Sequence, residues 1–237
     1  MTTTLSQIRA ELKKHSDPKQ AKNLQRFFKT GKGEYGEGDR FLGLKVPAQR
    51  KIAARFRDIS LKDTIGLLHS SIHEHRLTAL FILVGKYKKA DEAGRKEIYT
   101  SYLKNTRYIN NWDLVDSSAP HIVGNYLLDK DRKVLYRLAR SRDLWERRIS
   151  VLATFAFIMA GQLEDVFAIA EILLKDNHDL IHKAVGWMLR EAGKRVSQDE
   201  EENFLQKHYR NMPRTMLRYA IERFDDRKRK FYMKKPS

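Results

Sequence analysis

Apolar residues recur along this chain at intervals of three and four positions, which is the spacing of one face of an α-helix. Extended runs of alternating apolar and polar residues are hard to find, and glycine and proline separate the helical segments. We therefore predict an all-α protein. The predicted helices lie near residues 4–15, 18–29, 47–57, 61–69, 73–88, 91–104, 111–128, 130–140, 143–160, 162–175, 178–194, 198–210 and 213–224. Ser60, Asp143 and Ser197 are predicted to cap three of them.

One position recurs in these helices at spacings of 36, 36, 35 and 35 residues. It is occupied by Arg76, Trp112, Arg148, Lys183 and Arg218. A period of about 35 to 40 residues is what two helices and two turns require, and such pairs bury their apolar faces only by stacking. We predict one α-solenoid domain over residues 1–237, with a concave basic surface.

A second row follows four positions later, one helical turn beyond the first. Its members are Leu80, Asp116, Leu152, Trp187 and Glu222. Stacking of the repeats would bring Trp112 and Asp116 close to Trp187. Arg148 would lie on the same concave floor, which would then hold two large aromatic side chains, one carboxylate and one guanidinium.

Asp116 is the candidate catalytic residue, because the other members of its row are mostly apolar. The alternative is a surface aspartate that pairs with a neighbouring arginine. Trp112 and Trp187 could equally be core residues, as most large aromatics at helical spacing are. The fork of donors on Arg148 suits a phosphate, although a solvated arginine fits the pattern too.

Two segments depart from the helical pattern. Residues 30–46 contain five glycines and are predicted to be a mobile or ligand-facing loop. The GxGxxG match at residues 31–36 follows a predicted helix, whereas a dinucleotide site needs a preceding strand. Residues 225–237 are rich in lysine and arginine, and we predict a frayed basic tail.

The formal net charge of +17, from 47 lysines and arginines against 30 acidic residues, indicates a polyanionic partner. A charged surface without a target is the alternative. A membrane surface fits less well, because the charge is spread over nearly every helix. The absence of cysteine, of an apolar leader and of a membrane-spanning run leads us to expect a soluble, cytoplasmic protein. His178 and His182 have the spacing of a metal pair but lack further ligands, so we expect no metal and no cofactor.

Three phrases of the sequence resemble the DNA alkylation repair family of HEAT-like repeat glycosylases. They are NWDLVDS at 111–117, LWERR at 144–148 and KAVGWMLRE at 183–191. The resemblance implies that Asp116 is catalytic and that Trp112 and Trp187 are aromatic walls of the site. It also implies that Arg148 binds phosphate. The further DNA contacts that we predict are Lys183, Arg190, Arg76 and Arg218.

The function that this resemblance implies is hydrolysis of the N-glycosidic bond of N3- or N7-alkylated purines in double-stranded DNA, without strand cleavage and by a monomer. The asparagine at 111, where a tryptophan is expected, and the long glycine-rich loop indicate a sister subfamily. Two alternatives stay open: a catalytically silent protein that binds damaged or branched nucleic acid, and a protein-binding solenoid with an acidic partner.

Overall fold

The computed structural model of the chain describes residues 4–234 as helices joined by turns, without a β-strand in that range. The all-α prediction is confirmed. No helix among these residues is both long enough and apolar enough to cross a membrane. The chain divides into two compact units, and the boundary falls between Ser118 and Ala119.

The first unit is built around one long central helix, α5. Its helices are α1 (Leu5–Lys14), α2 (Pro18–Phe27), α3 (Val46–Arg55), α4 (Leu61–Leu68), α5 (His73–Lys89), α6 (Glu92–Lys104) and α7 (Trp112–Asp116). The central helix packs against α1, α3, α4, α6 and α7. Its Leu77, Leu80 and Leu83 are at most 2% exposed, so apolar burial fixes α5 as the centre of the core.

The second unit has two central helices, α9 and α11. After a π-helical turn at Pro120–Gly124, its helices are α8 (Lys133–Ala139), α9 (Leu144–Met159), α10 (Glu164–Ile172), α11 (Asp179–Arg195), α12 (Gln198–His208), α13 (Arg214–Ala220) and α14 (Asp226–Met233). Helix α9 packs on the π-helical turn, α8, α10 and α11, while α11 also packs on α12 and α13.

The three predicted capping residues are confirmed. Ser60 accepts from the amide of Asp63 at 3.0 Å, and Ser197 accepts from that of Glu200 at 3.2 Å. Asp143 accepts from the amides of residues 145 and 146 at 2.7 and 3.0 Å. Each cap satisfies amides that have no partner inside the helix.

The prediction of one continuous helix over 111–128 is wrong. Helix α7 ends at Asp116, and a turn precedes the π-helical segment that begins at Pro120. Proline has no amide hydrogen and its ring clashes with the preceding turn, so a regular helix cannot continue through it. The side chain of Ser118 stabilises the break, because it bonds to the carbonyl of Leu114 at 2.5 Å and to the Tyr102 hydroxyl at 2.9 Å.

The prediction of a frayed basic tail is wrong for residues 225–234, and residues 235–237 lie outside the described part of the chain. Asp225 caps α14 by accepting from the amide of Lys228 at 2.9 Å. Tyr232 is 1% exposed and packs against the rings of Tyr209 and Phe224. This aromatic burial stabilises a helix whose other residues are mostly charged.

The C-terminal end of the glycine-rich loop is anchored to the core. The buried carboxylate of Glu74 accepts from the amides of Leu42, Gly43 and Leu44 at 2.9, 2.7 and 3.2 Å. Gly43 has a φ of 93°, and a Cβ there would overlap the carbonyl oxygen of Asp17. Glycine is therefore required at this close approach, so one reason for the glycine content is packing.

Two helical glycines make a matched stability test. A Cβ added at Gly186 of α11 would overlap the Met216 carbonyl oxygen, whereas one at Gly85 of α5 would meet nothing. We expect Gly186→Ala to lower the free energy of unfolding by about 1–3 kcal/mol through overpacking. Gly85→Ala should raise it by about 0.5–1 kcal/mol through helix propensity. Urea denaturation measures both, and a loss of stability in Gly85→Ala or none in Gly186→Ala would contradict the packing described.

Candidate functional site

Helix α7 carries the two site residues predicted in the first unit, Trp112 and Asp116. The buried side chain of Asn111 begins this helix by accepting from the Trp112 amide at 2.8 Å. The two residues stand one turn apart and therefore share a face of α7. Both are half-buried. Asp116 thus lies on the partly exposed face of a well-fixed helix and not in the core of the first unit.

An aromatic cluster packs against Trp112. The Phe28 ring stacks on Trp112 with centroids 5.2 Å apart, and the Phe27 ring meets it edge-on at 6.0 Å. On the other side of the cluster, Phe28 also stacks on Phe41 at 5.2 Å. Phe28 is buried but Phe27 is 63% exposed. The cluster holds the indole in one orientation and leaves an apolar ring at the surface beside it.

His73, the first residue of α5, ties this cluster to a chain of charges. Its Nδ1 lies 2.9 Å from a carboxylate oxygen of Asp39 in the glycine-rich loop, and its Nε2 lies 2.8 Å from one of Asp113 in α7. The imidazole also packs against the rings of Phe28 and Phe41, with centroids 4.8 and 4.6 Å away. One buried side chain therefore links the loop, α5 and the helix that bears Trp112 and Asp116.

The electrostatics of this linkage favour a protonated imidazole. Burial of His73 opposes its charge, but the Asp113 carboxylate and the hydrogen bonds that His73 donates to both aspartates raise its pKa to about 9. Burial likewise opposes ionisation of Asp39, yet the hydrogen bond from His73 and the Arg76 charge hold the Asp39 pKa below its ordinary value. At neutral pH an imidazolium is therefore bound between two carboxylates.

Arg76, predicted as a DNA contact, is part of the same network. Its guanidinium donates to Asp39 at 2.5 Å and to the Ser70 carbonyl at 3.1 Å, and the residue is 3% exposed. Removing its partner would leave an uncompensated buried charge. The structure therefore gives Arg76 a role in anchoring the loop, and its burial does not fit the predicted contact with DNA.

In the second unit, Arg148 lies on α9 and is also buried, at 5% exposure. Its Nη1 donates to the Leu180 carbonyl at 2.5 Å, at the first turn of α11. Arg148 thus fixes the start of the helix that carries Trp187. A phosphate bound by this residue would have to approach a recessed guanidinium.

Trp187 is half-buried on α11. Its indole Nε1 donates to the Glu191 carboxylate at 3.3 Å. Arg195 donates to the same carboxylate at 2.6 Å. Burial opposes ionisation of Glu191, but Arg195 and the indole keep its pKa below the ordinary value. The Glu191 carboxylate therefore fixes the orientation of the Trp187 indole, as the Phe28 ring fixes that of the Trp112 indole.

The other predicted DNA contacts of the second unit differ in how accessible they are. Lys183 pairs with Asp179 at 2.7 Å, one helical turn away. Arg190 pairs with Glu191 at 3.3 Å and closely with Glu222. Arg218 is exposed on α13. Of these cations, Arg218 presents the most open side chain to solvent.

Sequence reasoning missed several residues of the first unit. The missed residues are Phe27, Phe28, Asp39, Phe41 and His73. The histidine and its acidic partners lie 34 and 40 positions apart, so spacing along the chain gives no signal of the contact. The phenylalanines end α2 and lie in the loop, where the repeat period does not apply.

His178 and His182, whose spacing is that of a metal pair, serve to start α11. The Nδ1 of His178 accepts from the Leu180 amide at 3.1 Å, and the Nε2 of His182 bonds to the Asp176 carbonyl at 2.5 Å. Among residues 4–234, no three histidine or acidic side chains are grouped so that they could hold a metal ion.

The model of the DNA alkylation repair enzyme family matches residues 8–224. A solved structure described as a predicted DNA alkylation repair enzyme from Enterococcus faecalis shares the fold, with a TM-score of 0.68 and 12% identity over 89% of this chain and 97% of that one. Among curated proteins, none matches this sequence.

The His73 linkage predicts a defined dependence of stability on pH. The folded-state pKa of about 9 lies above the ordinary 6.5, so the contribution is complete below pH 6.5 and is lost as pH rises through 9. We expect the wild type to lose up to about 3 kcal/mol of unfolding free energy across this window. His73→Gln should be less stable at pH 6.5 and lose less free energy than the wild type between pH 6.5 and 9, as measured by urea unfolding, because the loss from Glu201, whose pKa burial raises to about 8, is common to both proteins.

His15→Gln is the matched control, since His15 is exposed and its loss should leave the wild-type profile unchanged. Burial and the nearby Arg9 and Arg76 lower the pKa of His75 to about 4, so its influence falls below the window. Parallel profiles for the wild type and His73→Gln between pH 6.5 and 9 would show that the imidazolium does not stabilise the fold.

Proposed function

Because the chain belongs to the DNA alkylation repair enzyme family, we propose that it excises alkylated bases as a DNA glycosylase. A role in the repair of alkylated DNA follows from the family itself. The proposed substrates are N3- and N7-alkylated purines in duplex DNA, and the reaction is hydrolysis of the bond between base and sugar. The observation that carries the proposal is the placement of Asp116 one turn from Trp112 on a helix fixed at its start.

The substrate determines what a catalyst must supply. A purine alkylated at N3 or N7 is positively charged, so its bond to the sugar is already weakened. When this bond breaks, its electron pair moves to the base and neutralises it, and the sugar is left as an oxocarbenium-like cation. Stabilisation of that cation is the main catalytic task, as it is in glycoside hydrolysis.

Asp116 is the proposed group for this task. A carboxylate on a fixed helix favours the sugar cation electrostatically without having to reorganise during the reaction. It also accepts a hydrogen bond from the attacking water, whose oxygen forms the new bond to the sugar carbon and whose proton passes to the carboxylate and then to solvent. The His73 linkage to Asp113 supports this role by fixing the first turn of α7.

Trp112 and Trp187 are the proposed aromatic walls. The face of an indole attracts positive charge, and the attraction is strongest where water is excluded. Their orientations are fixed by the Phe28 ring and the Glu191 carboxylate, respectively. Two oriented indoles would favour the charged lesion and the sugar cation over neutral DNA, which provides selectivity for cationic adducts.

DNA affinity is proposed to come mainly from contacts that ignore sequence. The net charge of +17 favours a polyanion, and cations that neutralise phosphates release counterions. Arg218 is the leading proposed phosphate contact because of its exposure. Lys183, Arg190 and Arg148 are proposed as further contacts. No lysine is assigned to attack the sugar, so the proposed product is an abasic site in an unbroken strand, released by a monomeric enzyme.

Asp116→Asn tests the catalytic assignment. The substitution keeps the shape of the side chain but removes its charge, so we expect base release from methylated duplex DNA to slow by about a hundredfold or more. DNA affinity should change little. The measurement is single-turnover release of 7-methylguanine and 3-methyladenine, with binding followed by fluorescence anisotropy.

Asp129→Asn is the control, because the Asp129 side chain is 81% exposed and loses the same charge. It should release bases at the wild-type rate. Equal rates for Asp116→Asn and the wild type would remove Asp116 from the mechanism. A wild-type protein that binds methylated DNA but releases no base would instead be a silent binder of damaged DNA.

Arg218→Ala tests the phosphate assignment. Removing one phosphate contact should weaken binding to damaged and undamaged duplex alike and reduce the slope of log affinity against log salt by about 1. Lys96→Ala is the comparison, since Lys96 is exposed on α6, a helix that carries none of the proposed site residues. An unchanged slope in Arg218→Ala would contradict the contact.

A further inference from the structure

A cavity of about 520 Å³ lies in the first unit, along α3 and the second half of α5. Its apolar lining includes Ala53, Phe81, Ile82 and Ala90. Gly85 leaves part of the wall open, because this helical residue has no side chain and nothing lies within 4 Å of a Cβ placed there. The volume is that of a typical ligand site and is large enough for a bulky side chain.

Cations surround this apolar space. The lining includes Arg50, Arg57, Lys86 and Lys89, with Asp58 as its acidic member. Four positive charges against one negative charge leave the lining at +3. Asp58 lies 3.7 Å from Arg57, and no residue in the described range forms an ion pair with Lys86 or Lys89. The cavity therefore combines an apolar interior with an unbalanced positive rim.

One of the cations is held at the cavity by an aromatic ring, and a second is partly buried there. The guanidinium carbon of Arg50 lies 4.1 Å from the centre of the Phe81 ring, which is a cation-π contact. Burial lowers the pKa of Lys86, although the Asp58 charge opposes the effect. An incoming anion would compensate a charge that is now partly removed from water.

The cavity is separate from the proposed catalytic helix. Within the first unit, α7 is tied to His73 at the start of α5, whereas the cavity begins at Phe81 of the same helix. Eight residues of helix correspond to about 12 Å along the axis, and Lys89 lies farther still. Neither Trp112 nor Asp116 lines the cavity.

We propose that this cavity binds an acidic peptide segment of a partner protein that inserts one bulky apolar side chain between α3 and α5. The inserted side chain would contact Phe81, Ile82 and the open wall at Gly85, while flanking carboxylates would pair with the cations of the rim. Complementary charge steers such a partner and an apolar anchor holds it. A DNA backbone would use the charges but would not fill an apolar interior, so a peptide fits the lining better.

The test uses the whole chain and a fluorescein-labelled peptide that consists of consecutive aspartates followed by a phenylalanine. A Cβ at Gly85 meets nothing within 4 Å and leucine favours the helix, so we expect Gly85→Leu to fold and to block the cavity. Lys89→Glu reverses one rim charge. Lys88→Glu is its matched control, because Lys88 is the exposed neighbour on α5 and does not line the cavity.

We expect saturable binding by the wild type, measured by fluorescence anisotropy. Gly85→Leu and Lys89→Glu should each weaken binding by about tenfold or more, and Lys88→Glu by less than about threefold. The wild type should bind a peptide with serine in place of the phenylalanine as weakly as Gly85→Leu binds the original peptide. Gly85→Leu should unfold at the wild-type temperature or above it and keep its rate of base release, so failure here is distinguishable from failure of the proposed catalysis.

Three results would overturn the proposal. One is the absence of saturable peptide binding, or wild-type affinity in Gly85→Leu. Another is equal affinity for the serine peptide, which would reduce the interaction to charge alone. The third is a pair of results: undamaged duplex DNA displaces the peptide, and Lys89→Glu loses as much affinity for DNA as for the peptide. These results would assign the rim cations to DNA.

Discussion

An imidazolium bound between two carboxylates is the interaction on which the first unit depends. His73 joins Asp39 of the glycine-rich loop to Asp113 of α7, and it does so while buried against two aromatic rings. Buried charges persist only where each has a partner, so the loop, α5 and α7 must take up their positions together. The orientation of Trp112 follows from the same cluster through Phe28. The contacts that anchor the loop therefore also fix the geometry of the candidate site.

The positive charge of the chain is not equivalent to a binding surface. Arg76 and Arg148 are buried and donate to Asp39 and to the Leu180 carbonyl, while Arg190 pairs with two glutamates. These arginines connect separate segments of their own unit, because a planar fork of donors can satisfy several acceptors at once. The exposed cations, such as Arg218 and those at the cavity between α3 and α5, are the ones that remain to meet a partner. Composition gives the sign of the partner's charge but does not locate its contacts.

The helical secondary structure could be predicted from the sequence because its causes are local. The three- and four-residue spacing of apolar positions marks the helices, and Ser60, Asp143 and Ser197 cap them as predicted. Of the two wrong predictions, the break after α7 has a local cause in Pro120, to which a distant partner adds, whereas the order of the tail depends on a distant partner. Ser118 stabilises the break after α7 through Tyr102, and Tyr232 gives the charged tail an aromatic contact with Tyr209. Neither Tyr102 nor Tyr209 belongs to the segment that it stabilises, so the spacing of apolar residues within that segment gives no sign of the contact.

The candidate site likewise has some features with local causes and others that depend on residues far away along the chain. By itself the sequence determined the helical phrases that carry Trp112, Asp116 and Trp187, and with them the family, because residue identity and spacing are local properties. Only the tertiary structure decided which cations are buried, which rings orient the indoles and that His73 is charged. Burial and pKa depend on neighbours that are tens of residues away along the chain, and linear spacing contains no information about those neighbours.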